Sequence, residues 1–308
     1  MTSRVQRSMM ILPVHNSRFV EKAYLRGADA IVLDLEDSVP PSEKEMARGL
    51  VRQAIGVAGK GGADVLVRVN PEASLLEADL EAAVRPGLHG IFLPKIETAE
   101  QVTTVEAQIL KLERDRGLES GSVKLALHVE SPLGVLRMQE IAAAGLRAES
   151  MSLGVDDYCL SLGLEPTDDA LELLFPITMM VLASRARGIS PLGILGTVAE
   201  FTHLQRFEDA ARRAKDLGCS GAYCIHPDQV AILNRVFSPP PSQVNQARKV
   251  AAAFEEGLKQ GKAAVNLGGR MVDTPVYKQA MLILDRAAAI EEVERRKAEA
   301  LQRASAGQ

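Results

Sequence analysis

The sequence predicts an α/β fold, a (β/α)8 TIM barrel with a C-terminal helical extension. Three observations carry this. Eight short apolar runs recur along the chain, helical stretches separate them, and charged residues close successive runs at intervals of 27 to 35 positions from Asp37 through Arg68, Lys95 and Glu130 to Asp157. One strand and one helix per interval is the repeat of a parallel α/β architecture. In a barrel, residues at the carboxyl ends of the strands converge on one mouth, where the chemistry sits.

The runs are Met9–Val14, Ala30–Leu35, Val65–Val69, Gly90–Pro94, Leu125–Val129, Met151–Gly154, Leu192–Leu195 and Ala222–Ile225. They are unbroken rather than alternating, as expected of parallel strands covered on both sides. Ser17–Leu25 reads as a helix stopped by Gly27, and Ser42 can cap the next. Thr167-Asp168-Asp169 opens a helix through Ala186, its early acids complementing the dipole. Within it, Leu171–Ala183 reads as core-facing despite Glu172 and Pro176. Arg206–Leu217 is amphipathic and stops at Gly218.

After His226 the sequence reads as helical only. The prolines at 239–241 place a boundary near residue 238, so that 1–238 forms the barrel and 239–308 a separate helical segment. Gln243–Lys259 predicts one helix, Gly268-Gly269-Arg270 a turn, Pro275–Lys297 a longer helix and Ala304–Gln308 a frayed end.

Composition narrows the function. A 46% hydrophobic share with 25% charged residues suits a protein able to bury a substantial core, and a net charge of −4 without a basic block gives no footprint for nucleic acid. Met9–Val14 is too brief for a secretory segment or a membrane span. Cys159, Cys219 and Cys224 form neither a metal-ligand spacing nor an even disulfide set, which suits buried thiols in a reducing cytoplasm.

Glu130 and Asp157 are the strand-end acids best placed to hold a divalent cation. Hard oxygen ligands favour Mg2+, which commonly takes one or two protein carboxylates and leaves other positions to substrate and water. Either acid alone would more simply pair with a nearby base, but here both share the predicted mouth with Arg68. Glu36 and Asp37 are candidate ligands or acceptors for metal-bound water, and orienting Arg68 suits them equally; Asp34 is assigned to the barrel wall. Arg68 offers a planar fork suited to a carboxylate or a developing enolate. Lys95 follows Leu93-Pro94, where some barrel aldolases carry a Schiff-base lysine, and a salt bridge is the favoured reading. His226 suits a hydrogen bond to backbone better than general-base work. His15 is undecided, and His89, His128 and His203 carry little signal.

Together these segments closely resemble the citrate lyase beta-subunit-like (CitE-like) branch of the HpcH/HpaI aldolase superfamily. The resemblance rests on Arg7-Ser8, the run Leu33–Val39 with Lys44 and Ala47-Arg48, Arg68-Val69-Asn70, Leu93-Pro94-Lys95 and Val129-Glu130-Ser131. It continues through Gly154–Asp157, His226-Pro227-Asp228-Gln229 and the run Gly269–Asp273, over nearly the whole chain.

The resemblance implies a Mg2+-dependent lyase or aldolase that makes or breaks a carbon–carbon bond in 3-hydroxyacyl-CoA thioesters of the malyl, citramalyl or citryl kind. Glu130 and Asp157 would then be the metal ligands, with Glu130 also facing substrate, and Arg68 would polarise the thioester or keto oxygen. Asp273, by itself a plausible helix N-cap, would be the catalytic acid, reaching a neighbouring subunit's site from 239–308, which would act as the lid and oligomerisation segment of a homo-oligomer, a trimer or hexamer. A CoA-independent 2-oxoacid aldolase of the same superfamily is the first alternative. A citrate lyase subunit dependent on an acyl-carrier partner is the second.

Two departures bear on substrate. Pro13-Val14-His15-Asn16 stands where a Pro-Gly pair is usual, and residues 193–200 lack the acidic spacing common among close citrate lyase subunits.

Overall fold

The computed structural model describes residues 4–199 and 201–306. Eight parallel strands run β1 (Ser8–Pro13), β2 (Ala30–Asp34), β3 (Asp64–Arg68), β4 (Gly90–Leu93), β5 (Lys124–Val129), β6 (Ala148–Leu153), β7 (Ser190–Leu192) and β8 (Ala222–Cys224). Each pairs with the next up to β7, and β1 pairs with β8. The seam between β7 and β8 is closed by a single parallel bridge, Leu192 to Gly221, reinforced by Gly193 N–H donating to Gly221 O at 2.9 Å. A Cβ at position 221 would sit 1.7 Å from the Gln6 carbonyl oxygen, so only glycine permits this closure.

The helices are α1 (Ser17–Ala23), α2 (Lys44–Ala58), α3 (Ala73–Ala83), α4 (Ala99–Asp115), α5 (Pro132–Leu136), α6 (Met138–Ala143), α7 (Val155–Ser161), α8 (Leu171–Arg187), α9 (Leu204–Asp216), α10 (Pro227–Val236), α11 (Pro241–Lys259) and α12 (Thr274–Ala306). Helix α4 begins with a full capping box, in which Thr98 accepts from Gln101 N–H while the Gln101 side chain accepts from Thr98 N–H. No described helix is long and apolar enough to cross a membrane.

The residues fall into two compact units. The first comprises Gln6–Phe237 and the chain from Lys297 onward; the second comprises Ser238–Arg296 with the described residues Arg4 and Val5. In the second unit, α11, the start of α12 and a hairpin of β9 (Val265–Leu267) and β10 (Arg270–Val272) share a core of Val250, Phe254, Val272 and Ala280. Phe254 stacks on Tyr277 at 4.8 Å.

Several expectations are corrected. The region after His226 is not purely helical: Gly268 and Gly269, at φ +59° and +84°, form a two-residue hairpin turn, which left-handed backbone favours. The last helix does not fray at Ala304 but continues through Ala306; the final two residues lie outside the described ones. Helix α8 starts at Leu171 rather than Thr167, because Thr167 N–H and Oγ1 are both bonded to the Glu172 side chain and Ala170 turns left-handed at φ +53°. Nor is α8 wholly core-facing: Leu173, Ile177 and Met180 are buried, while Leu171, Phe175 and Leu182 are exposed. Strand β7 ends at Leu192, so Ile194 and Leu195 belong to the loop beyond.

Strand periodicity divides the core. Ala30, Val32, Leu66, Phe92, Ala126, Leu192 and Tyr223 meet Met9 inside the barrel, whereas Ile31, Leu33, Val65, Val67, Ile91 and Leu125 pack against the helices. Residues alternate faces along a strand. The inward series therefore continues from Val32 to Asp34, from Leu66 to Arg68 and from Ala126 to His128 and Glu130, delivering these side chains to the mouth.

Candidate active site

Arg68 anchors one side of the mouth. Its Nε and Nη2 each donate to Asp34 at 2.6 Å, and Nη1 lies 3.0 Å from Glu36 Oε2 and 3.5 Å from Asp37 Oδ2. The guanidinium stands over the Phe92 ring, 5.9 Å from its centroid. Burial alone would lower the Arg68 pKa, but the Asp34 bonds and the three acidic charges reverse this and hold it raised. Burial likewise opposes ionisation of Asp34, and Arg68 overcomes it, so the Asp34 pKa is lowered. Asp34 is thus more than barrel wall: it is the clamp that fixes the guanidinium.

Lys95 turns toward the same acids. It adopts φ +53°, uncommon for a side-chain-bearing residue. Its Nζ reaches Glu36 Oε1 at 2.5 Å and Asp37 Oδ1 at 3.1 Å. Partial burial lowers its pKa, but these bonds outweigh it and keep the amine protonated. That is the opposite of what a Schiff-base nucleophile needs; the salt-bridge reading fits the geometry. Glu36 itself is raised, by burial first and against the pull of Arg68 and Lys95.

The loop after β2 that carries Glu36 is tied down from below. Lys44 Nζ donates to Leu35 O, Glu36 O and Asn70 Oδ1 at 2.8, 2.7 and 2.6 Å. Asn70 donates in turn to buried Asp79 at 2.7 Å, which also accepts from Arg48 at 2.8 Å.

The other side of the mouth is unsatisfied. Glu130 is 5% exposed, and neither carboxylate oxygen has a hydrogen-bond partner. His128 Nε2 stands 3.3 Å from Oε1. Burial first, then the charges of Glu36 and Asp157, push the Glu130 pKa up to about 8. Asp157, in the first turn of α7, is exposed and lines the cavity.

His128 sits beneath, with Nδ1 2.6 Å from Ser152 Oγ and its ring 4.8 Å from Phe92. Burial, helped by the Arg68 and Lys95 charges, drives its pKa down to about 3 and keeps it neutral. Gly154 leaves room for this pair, since a Cβ there would approach both Glu130 Cγ and His128 Nε2 to 2.7 Å.

A cavity of about 350 Å3 opens over these groups, with Arg68, His128, Asp156 and Asp157 in its lining. The structure therefore brings Glu36, Asp37, Arg68, Glu130 and Asp157 to one barrel mouth. Asp273 lies in the second unit, where Oδ1 accepts from Val276 N–H at 3.2 Å at the start of α12, as an N-cap does. His226 caps α10, its Nδ1 accepting from Asp228 N–H at 3.3 Å. His15 lies 3.7 Å from Glu43. All three cysteines are buried and free. Glu200, in the loop read as lacking acidic spacing, lies outside the described residues.

From the sequence Asp34 reads as barrel wall, His128 carries little weight and Lys44 counts only in the resemblance, while Ser152 is not singled out. For His128 the signal was available, two positions before Glu130 on one strand and hence on the same face. The hold of Lys44 on two carbonyls has no such signature.

Fold and site together define a barrel of the (β/α)8 class with its charged cluster at the carboxyl ends of the strands, where such barrels keep their active sites. Comparison with known proteins supplies the family. The HpcH/HpaI aldolase/citrate lyase family matches residues 7–227. The chain is 36% identical over 286 residues to the citrate lyase subunit beta of Escherichia coli K12, covering 92% of this chain and 94% of that protein. It is 32% identical to the L-malyl-CoA/beta-methylmalyl-CoA lyase of Cereibacter sphaeroides, over 92% of this chain and 95% of the other. Among solved structures, CitE from Mycobacterium tuberculosis in complex with magnesium, acetoacetate and coenzyme A superposes with a TM-score of 0.71 at 25% identity, covering 93% of this chain and 98% of that one. The chain belongs to the HpcH/HpaI aldolase/citrate lyase family.

Proposed function

We propose that this protein is a Mg2+-dependent carbon–carbon lyase that cleaves, or in reverse forms, 3-hydroxyacyl-CoA thioesters. The observation that carries the reading is Glu130, a buried carboxylate with both oxygens unpartnered, under the charge of Asp157 and beside a clamped guanidinium. Buried polar groups are rarely left without partners. Two carboxylates at an open mouth suit Mg2+, which keeps remaining positions for substrate oxygens and water. Among the described residues no group of three or more His, Cys, Asp or Glu is arranged to hold a metal.

Cleavage removes the 3-hydroxyl proton and breaks the bond between the hydroxylated carbon and C2. The electron pair passes to the thioester as an enolate, which gains a proton at C2, leaving acyl-CoA and a 2-oxoacid. A bound Mg2+ would supply Lewis-acid stabilisation of the 2-oxoacid oxygens. Asp34 takes one hydrogen from each of Nε and Nη2 of Arg68, which leaves the second Nη2 hydrogen for the oxygen where enolate charge develops. Asp34, Glu36 and Asp37 hold that donor in place, so little reorganisation accompanies reaction. His128, neutral, packs beneath Glu130 and limits its movement.

Asp273 is the proposed acid and base at the carbon of the acyl-CoA, acting from residues 239–308 as a lid over a neighbouring subunit's site. Closure of such a lid excludes water from the enolate. Exposed Leu171, Phe175 and Leu182 on α8 support a homo-oligomer. Three buried free thiols support a cytoplasmic setting.

The test is turnover of malyl-CoA and citramalyl-CoA by the purified chain with Mg2+ and with EDTA, following release of acyl-CoA and 2-oxoacid. Metal-dependent cleavage is expected. Bound Mg2+ without cleavage of either thioester would shift the reading to a CoA-independent aldolase or a partner-dependent subunit.

A further inference from the structure

The 3-hydroxyacyl thioesters of this reaction differ in one group. The hydroxylated carbon carries hydrogen, methyl or carboxymethyl as its remaining substituent, in malyl, citramalyl and citryl thioesters respectively. Cleavage then releases glyoxylate, pyruvate or oxaloacetate. The site must house a second free carboxylate only in the citryl case.

Among the described residues the cavity lining offers it no unengaged positive charge. Among the described lining residues Arg68 is the sole permanent cation, against Asp34, Asp156 and Asp157. Arg68 is already engaged by Asp34, Glu36 and Asp37, and its spare hydrogen serves the reacting oxygen in the proposed mechanism. Lys95, at the rim, is paired with Glu36 and Asp37. His128, also in the lining, has Nδ1 engaged by Ser152 Oγ at 2.6 Å and Nε2 turned to Glu130 at 3.3 Å.

Away from the acids the lining is largely apolar, its hydroxyls being those of Ser38, which donates to Asp34, and of Tyr223. Pro13, Ile194, Val198 and Ile225 face the cavity from the β1, β7 and β8 side. Ile225 is 42% exposed, an open aliphatic surface at the mouth. The loop bearing Val198 is fixed, since Gln229 Nε2 donates to Val198 O at 3.0 Å and Thr197 Oγ1 donates to Asp156 at 2.9 Å. A carboxymethyl group turned to this wall would be desolvated without a partner, and turned the other way it would meet Asp156. Burying an unpaired carboxylate is costly, whereas a methyl group gains from apolar contact.

Resting on the lyase reading above, we infer that the enzyme acts on thioesters whose hydroxylated carbon bears hydrogen or a small alkyl group, releasing a monocarboxylic 2-oxoacid, and that it discriminates against citryl-type substrates. Pro13, Val198 and Ile225 set this selectivity.

The experiment compares kcat/KM for malyl-, citramalyl- and citryl-CoA at saturating Mg2+, alongside calorimetric titration of the Mg2+-loaded chain with pyruvate and with oxaloacetate. Citryl-CoA is expected to be poorer than the best of the other two by ~100-fold or more, the order of an unpaired buried charge. Oxaloacetate is expected to bind more weakly than pyruvate. Ile225→Arg, which adds a cation to the wall, is expected to narrow both gaps. Comparable cleavage of citryl-CoA, or oxaloacetate bound as tightly as pyruvate, overturns the inference. If no thioester is cleaved the lyase reading falls, and the two 2-oxoacid affinities still decide the selectivity.

Discussion

The two ends of the barrel handle buried charge in opposite ways. At the end where the strands begin, the buried acids Asp29 and Glu113 are answered. Asp29 accepts from Arg7 N–H, Nε and Nη2 at 2.9, 2.8 and 2.7 Å and from Lys297 Nζ at 3.0 Å. Glu113 holds Arg147 through both oxygens at 2.8 and 2.6 Å and also accepts from Gly121 and Val123 N–H. At the mouth, Arg68 and Lys95 are likewise held by acids, but Glu130 is buried with neither oxygen hydrogen-bonded. A complete ion pair at the closed end serves the fold. An incomplete one at the open end costs stability and is retained where a ligand repays the cost.

Substitution at the mouth has the largest expected effect. Asp157→Ala or Glu130→Gln should abolish calorimetric Mg2+ binding and lower turnover by ~10³-fold or more, several kcal/mol of lost charge stabilisation, with unchanged far-UV circular dichroism. Retained Mg2+ binding in both variants would break the comparison. Arg68→Lys should lower kcat by ~10² to 10³-fold, because an ammonium cannot hold Asp34 in two places and still point a donor at the substrate; near-normal kcat would remove Arg68 from the chemistry.

At the closed end the same kind of change should act on stability. Asp29→Asn leaves Arg7 and Lys297 underpaired and should cost ~3 kcal/mol in denaturant unfolding with KM unaltered. Burial raises the Asp29 pKa, and its bonds to Arg7 more than compensate, leaving it lowered. Its contribution is therefore present above the unfolded carboxyl pKa and lost as pH falls through the lower folded value.

Glu130 carries the reverse sign. Its folded pKa is about 8, so between the ordinary carboxyl range and pH 8 the folded protein binds the extra proton. Stability of the metal-free protein should decline as pH rises across that window, and Mg2+ should restore it. Glu130→Gln should remove the decline and raise the metal-free Tm at pH 8, by ~2–4 °C for each kcal/mol recovered. A flat wild-type profile would show that Glu130 is already compensated. The smallest effect is expected at the α4 cap, remote in role from both ends, where Thr98→Ala should cost ~1 kcal/mol and leave Mg2+ affinity unchanged.

Much of this contrast was legible beforehand. All eight strands overlap the apolar runs, and all but β6 and β7 match to within one residue at each end, because strands buried on both faces have no polar positions to blur the pattern. Arg68 at the end of β3 and Glu130 just past β5 lie at the mouth for the same reason, and Asp157 joins them from the first turn of α7. Helix starts fared worse. Thr167-Asp168-Asp169 has the composition of an opening turn, yet its side chains bond one another and Glu172 instead. The hairpin at Gly268-Gly269 was read as a turn but not as two strands, since three-residue strands carry almost no periodicity.

The sequence by itself determined the repeat, the order of the strands and which charged residues reach the mouth, because strand length and two-residue alternation are local properties written one run at a time. Tertiary structure alone decided which of those charges are paired. Asp34 ends β2, Glu36 and Asp37 follow it, Arg68 ends β3 and Lys95 follows β4, and their mutual pairing depends on distances across the barrel that no spacing records. It also decided that Glu130 is left over. Whether a carboxylate is answered is a property of its surroundings, and these exist only once the barrel has closed.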